Sequence, residues 1–148
     1  MAATAKDLRY APKTAKGKGV KEALGARLYK AKSDSFVYSD SSPALLFNVK
    51  SGTMIHDLIL NVETAFAKTG GAGTLIAGIA ADTDMFYADT TQCAVGTYSM
   101  HGAGALNSGI YVATGDVTVQ ASWVTASTTG GGHAYLIYSY ANTDYVNP

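Results

Sequence analysis

Cysteine, proline and charge are all scarce in this sequence. Its 148 residues hold one cysteine, Cys93, and three prolines, and 15% of them are charged, against roughly 25% in an average soluble protein. A single thiol excludes an intramolecular disulfide and a cysteine-based zinc site. Cys93 reads as a small apolar residue rather than a nucleophile, because free cysteine is so often buried. No apolar run approaches the roughly 18 residues of a helical membrane span. The early bases Lys6, Arg9 and Lys13 are not followed by an apolar stretch, so neither a secretory leader nor a membrane anchor is expected.

Catalytic and phosphate-binding motifs are missing as well. There is no G-x-S-x-G elbow to set a serine beside a base. "TGGAGT" (69–74) and "HGAGALNSG" (101–109) carry glycines, yet neither opens a helix, so both read as turns. His56 falls on a strand, while His101 and His133 lie in or beside glycine-rich stretches; isolated histidines of this kind are read as surface or structural residues. "ADTDMFYAD" offers Asp82, Asp84 and Asp89. In a calcium loop of the EF type its sixth and twelfth positions would be Gly and Glu, and here they are Tyr87 and Cys93. A calcium site of another kind at this corner stays open beside the plainer reading, that Asp favours turns and strand ends. No catalytic residue and no cofactor is expected.

Charge is present but unevenly spread. Residues 1–32 carry nine of the eleven bases and two acids, a net +7; residues 33–148 carry two bases and nine acids, a net −7. Pro12, Gly17, Gly19 and Gly25 interrupt the basic segment, although Val20, Leu24 and Leu28 sit four apart and would permit a turn or two of helix. Residues 1–26 read as an arm that orders on contact, with a plain solubilising tail as the competing reading. Lysines here would suit phosphates, but Tyr10 and Tyr29 are the segment's only aromatics, and an acidic protein surface suits them equally.

From residue 27 the pattern turns to period two. "ALLFNVK" puts Leu45, Phe47 and Val49 on one face, and "MIHDLILNVET" does the same for Met54, Leu58, Leu60 and Val62. "TLIAGIA" points Leu75, Ala77 and Ile79 inward. "IYVAT" and "DVTVQASWV" meet at Thr114-Gly115-Asp116, a tight-hairpin signal. Val117, Val119, Ala121 and Trp123 alternate with polar residues, which makes Trp123 a core residue. "KTGGAG" and "ASTTGGG" read as loops. Short strands with turn chemistry about every ten residues predict an antiparallel β-sandwich over residues 27–148. The last strand sets Ala134, Leu136, Tyr138 and Tyr140 against His133, Tyr135 and Ile137, apolar on both sides. A second layer or another subunit would cover the outer side; a subunit contact through Tyr135, Ile137, Tyr138 and Tyr140 is expected.

Three stretches carry a family likeness. "ALLFNVKSGTMIHDLILNVETAFAKTGG", "TLIAGIAADTDMF" and "DVTVQASWVTASTTGGGHAYLIYSY" resemble tailed-phage capsid decoration (cement) proteins and related head or tail accessory proteins, over about two thirds of the chain. The resemblance implies a jelly-roll-like β-sandwich, a homotrimer, no enzymatic activity, and a place on the outside of the phage head after synthesis in the host cytoplasm. Its implied partner is the major capsid protein, reached by Lys6, Arg9, Lys13, Lys16, Lys18, Lys21 and Arg27 of the arm; from outside the shell, contact with nucleic acid is not expected. "ADTDMFYAD" lacks the glycine that often follows the second Asp in such proteins, which weakens a metal at this turn. The alternatives are a tail, baseplate or fibre-attachment subunit, or a carbohydrate-binding module using Trp123 and surface tyrosines.

Overall fold

A computed structural model describes residues 4–8, 28–89, 94–102, 109–124 and 126–140 and, of Ala72 and Asp89, the backbone alone. Among these residues the chain is all-β, strands and their connections without helix, in two sheets that enclose one apolar core. The strands are numbered along the chain. The first sheet runs in the order β1 (Lys6–Asp7), β4 (Ala44–Val49), β11 (Val117–Trp123), β7 (Leu75–Ile79), β8 (Asp82–Asp89). The second is built on two long antiparallel partners, β5 (Thr53–Lys68) and β12 (Ser127–Tyr140). Beside β12 lie β2 (Tyr29–Lys32) and β3 (Phe36–Val37). Beside β5 lie β10 (Tyr111–Val112), β9 (Gly96–Ser99) and β6 (Gly71–Ala72). Pairing is antiparallel except between β1 and β4. The expected all-β sandwich is present.

Period-two alternation builds the core. Leu58, Leu60 and Val62 of β5, Ala134, Leu136 and Tyr138 of β12, and Leu75, Ala77 and Val119 of the first sheet are all buried. Burial of each large aliphatic side chain contributes about 1.5–3 kcal/mol before conformational entropy is counted. Trp123 lies inside, stacked on Phe36 (5.7 Å between centroids) and tilted against Phe66 (5.4 Å); its Nε1–H donates to the Tyr38 carbonyl at 3.1 Å.

Register shifts occur in three of the strand pairs, and two of them displace residues expected in the core. Val119 pairs with Phe47 but Gln120 pairs with Leu45, so Leu46 is an extra residue in β4. That residue flips the phase: Leu46 and Phe47 are both buried, and Leu45, expected inside, is 43% exposed. In β5, Ile137 pairs with Asp57 and Tyr138 with Ile55, leaving His56 as the extra residue. Ile55 therefore takes the core position expected for Met54.

Two turn readings are corrected. Thr114-Gly115-Asp116 does not close a hairpin, because β10 pairs with β5 and β11 with β4, so this turn carries the chain from one sheet to the other. The β4–β5 connection makes the same crossing beside it. There Ser51 N–H donates to Asp116 Oδ1 (3.0 Å), and Gly52 N–H to the Ala113 carbonyl (2.7 Å). "ASTTGGG" is strand from Ser127 onward. A Cβ on Gly132 would overlap the Asn61 carbonyl, and one on Gly130 (φ +143°) would enter the Phe66 ring. The glycines let β12 run against β5 and Phe66 where any other residue would force it away.

Candidate docking surfaces

Residues 4–8 of the N-terminal segment lie against the sandwich. β1 lies along β4, with Lys6 opposite Phe47 and Asp7 opposite Asn48, and Leu8 is buried to 5% exposure. Lys6 Nζ meets Asp34 Oδ1 at 2.7 Å, and Asn48 Nδ2 donates to Asp7 Oδ1 at 2.7 Å. Lys6, expected among the contacts to another protein, thus has an ionic partner in its own chain. Arg9, Lys13, Lys16, Lys18, Lys21 and Arg27 lie outside the described residues, as does Cys93. A cleft of about 410 Å³ opens beside β1, between Leu8, Asn48, Lys50, Asp116 and Thr118. The Ser51 N–H, followed by Lys50 at 3.4 Å, holds the Asp116 carboxyl below its ordinary range.

The four tyrosine and isoleucine positions of β12 divide between its faces. Tyr138 is 1% exposed and stacks on Tyr29 at 5.5 Å, and Tyr140 packs on the same ring at 5.0 Å. Both therefore belong to the inner side, and Tyr138 has no surface to offer a second subunit. That corrects the expected set, since alternation sends alternate residues to opposite faces. Tyr135 and Ile137 are half-buried on the outer side.

That outer face of the second sheet is ordered in rows. One row runs Lys32, Tyr135, Ile59, Ser99 across β2, β12, β5 and β9; the next runs Lys30, Ile137, Asp57. Lys30 and Lys32 are exposed, and Lys30 Nζ sits 4.3 Å from the Tyr135 ring centroid. Further along, His133 Nδ1 meets Glu63 Oε1 at 2.9 Å, and its ring packs edge-on to Tyr135. The alternation in "MIHDLILNVET" sets Asp57, Asn61 and Glu63 opposite Leu58, Leu60 and Val62, as found; sequence reasoning did not join them, or Ile59, to Tyr135 and Ile137 in one surface.

His56 Nε2 lies 2.7 Å from Ser139 Oγ, but among the described residues no carboxylate meets that ring. Its neighbour Asp57 accepts instead from Ser99 Oγ at 2.7 Å, and His101 Nε2 meets the His56 carbonyl. A carboxylate–histidine pair exists at Glu63–His133, where Tyr135 Oη rather than a serine lies 3.2 Å from Nε2. The parts of a Ser-His-acid relay are thus split between two places. "ADTDMFYAD" forms β8 rather than a loop. A hydrogen bond with the Asp84 carboxyl, together with that group's charge, raises the pKa of Asp82. Among the described residues no group of three or more acids, histidines or cysteines is placed to hold a metal ion.

No protein-family model matches the chain, and no curated protein matches its sequence. Two solved structures share its fold. A chain of the acidic stable capsid structure of Helicobacter pylori bacteriophage KHP30 aligns with a TM-score of 0.56 and 19% identity, over 75% of this chain and 86% of its own length. A chain of the cyanophage Pam1 capsid asymmetric unit aligns with a TM-score of 0.60 and 16% identity, over 88% of this chain and 92% of its own. This chain is thus similar in fold, and close in length, to chains of two phage capsid structures.

Proposed function

We propose that this protein is a structural component of a phage virion: a decoration protein that binds the outside of the head and stabilises contacts between major capsid proteins. The observation that carries the reading is the fold match to chains of two phage capsids across nearly the whole length of each. The likeness in three sequence stretches points the same way, and so does the basic N-terminal segment, whose charge opposes an otherwise acidic chain. Binding only to the assembled, expanded shell stabilises that shell by mass action. In this reading three copies sit around a threefold position and combine individually weak contacts by avidity. Arg9, Lys13, Lys16, Lys18, Lys21 and Arg27 reach acidic patches on neighbouring capsid subunits, and partner choice rests on charge complementarity. An image of the assembled particle tests this. Density for this protein repeated over the head lattice, on the outer surface, is the expected result; a single ring on the tail would instead establish the tail-subunit reading.

A further inference from the structure

The outer face of the second sheet orders its chemistry by strand. β2 presents Lys30 and Lys32, β12 presents Tyr135 and Ile137, and β5 presents Asp57, which accepts from Ser99, and the bulge residue Glu63, which meets His133. Adjacent strands lie about 4.8 Å apart, so a basic column and an acidic column flank an apolar one at a separation of about 10 Å. Lys30 and Lys32 have no carboxylate partner among the described residues, and Lys30 is drawn over the Tyr135 ring rather than left to sweep solvent. Leu28 continues the β2 side of this face at 56% exposure, and no described strand stacks on it.

We infer that this face is a self-association surface whose occupant is a second copy of the chain. A face ordered basic, apolar, acidic is complementary to itself about an axis that runs along its strands: one copy's basic column then meets the next copy's acidic column while the apolar columns close together. Neutralisation of Lys30 and Lys32 by Asp57 and Glu63 of a neighbour sets which copies meet, and burial of Tyr135, Ile137 and Ile59 supplies the affinity. The inference deepens the oligomer of the reading above, on which it rests, by naming the surface. Its test runs on the free protein, so a failure here and a failure to bind phage heads are separate results.

The test is the mass of the full-length protein in solution, by sedimentation velocity at about 100 µM and at low and high salt, since micromolar contacts assemble there and screening weakens their charged part. The wild type is expected above monomer mass, and less so at high salt. The exposed pair Lys30→Glu with Lys32→Glu is expected to run as monomer with an unchanged melting temperature. Adding Asp57→Lys and Glu63→Lys to that pair reverses both columns and should restore the oligomer. Ile137→Asp should also give monomer, through the apolar column. A monomeric wild type overturns the inference, as does a Lys30→Glu, Lys32→Glu protein that keeps the wild-type mass.

Discussion

Lys6 Nζ lies 2.7 Å from Asp34 Oδ1, a bridge between the strand that opens the basic segment and the turn ahead of β3. The bridge links β1 of the first sheet to the segment between β2 and β3 of the second, and Leu8 fastens the end of β1 from inside. The two contacts differ in weight. Both groups of the bridge are more than 40% exposed, so Lys6→Ala should cost less than about 1 kcal/mol. Leu8→Ala removes a buried aliphatic side chain and should cost about 2–4 kcal/mol. Denaturant unfolding of the two variants checks this; equal and negligible losses would mean that β1 is not held on β4.

Gly132 and Gly115 form a matched pair for a second measurement. A side chain on Gly132 meets the Asn61 backbone, which has nowhere to retreat, whereas nothing lies within 4 Å of one on Gly115. Gly132→Ala should therefore destabilise by about 1–3 kcal/mol. Gly115→Ala should stay within about 0.5 kcal/mol of the wild type. Thermal melts of both would expose an error in the pairing of β12 with β5, since a loop at 126–132 would tolerate the two alike.

Much of the fold was legible in the sequence where alternation ran unbroken. Leu75, Ala77 and Ile79, and likewise Val119, Ala121 and Trp123, point where their period sends them. Legibility failed where one inserted residue changes the phase, at Leu46 and at His56, because a bulge is defined by the partner strand and not by the strand that carries it. Glycine was ambiguous for a similar reason. In "ASTTGGG" it marks a close approach of two backbones, and at Thr114-Gly115-Asp116 a change of sheet, and both look like turns to local reading. Of the expected surface, Tyr135 and Ile137 stand on the outer face. Tyr138 was misassigned because composition alone does not tell which face of a doubly apolar strand meets its own core.

Acid titration separates Asp116 from Asp82. The Asp116 carboxyl is held below its ordinary 3.8 by the Ser51 N–H and Lys50, so its stabilisation is present above that value and is lost as the pH falls through the lowered one. Asp82 is raised by its bond to Asp84, so its contribution is present below 3.8 and is lost as the pH rises through the raised value. Carbon-detected NMR should find Asp82 titrating above Asp116. Asp84→Asn should remove the repulsion between the two carboxylates and bring Asp82 down, while Asp116→Asn should flatten the acid side of the stability profile. The reverse order of titration would contradict both hydrogen-bond assignments.

Trp123 is the only tryptophan, so its fluorescence reports one place. At 6% exposure between Phe36 and Phe66, it should emit as a buried indole, resist acrylamide, and ignore a panel of soluble glycans. A glycan-dependent shift would favour the carbohydrate-binding reading, which needs an exposed ring to stack on a sugar.

The capsid-binding role stands or falls on co-sedimentation with expanded heads stripped of decoration. A useful comparison is a variant in which Lys13, Lys16, Lys18 and Lys21 are changed to serine while residues 4–8 keep their seat on β4. Saturable binding of the wild type is expected, with heads that withstand heat or chelation better when occupied and at least a tenfold loss of affinity in the lysine variant, equivalent to about 1.4 kcal/mol. Wild-type protein left in the supernatant at every concentration would contradict that role.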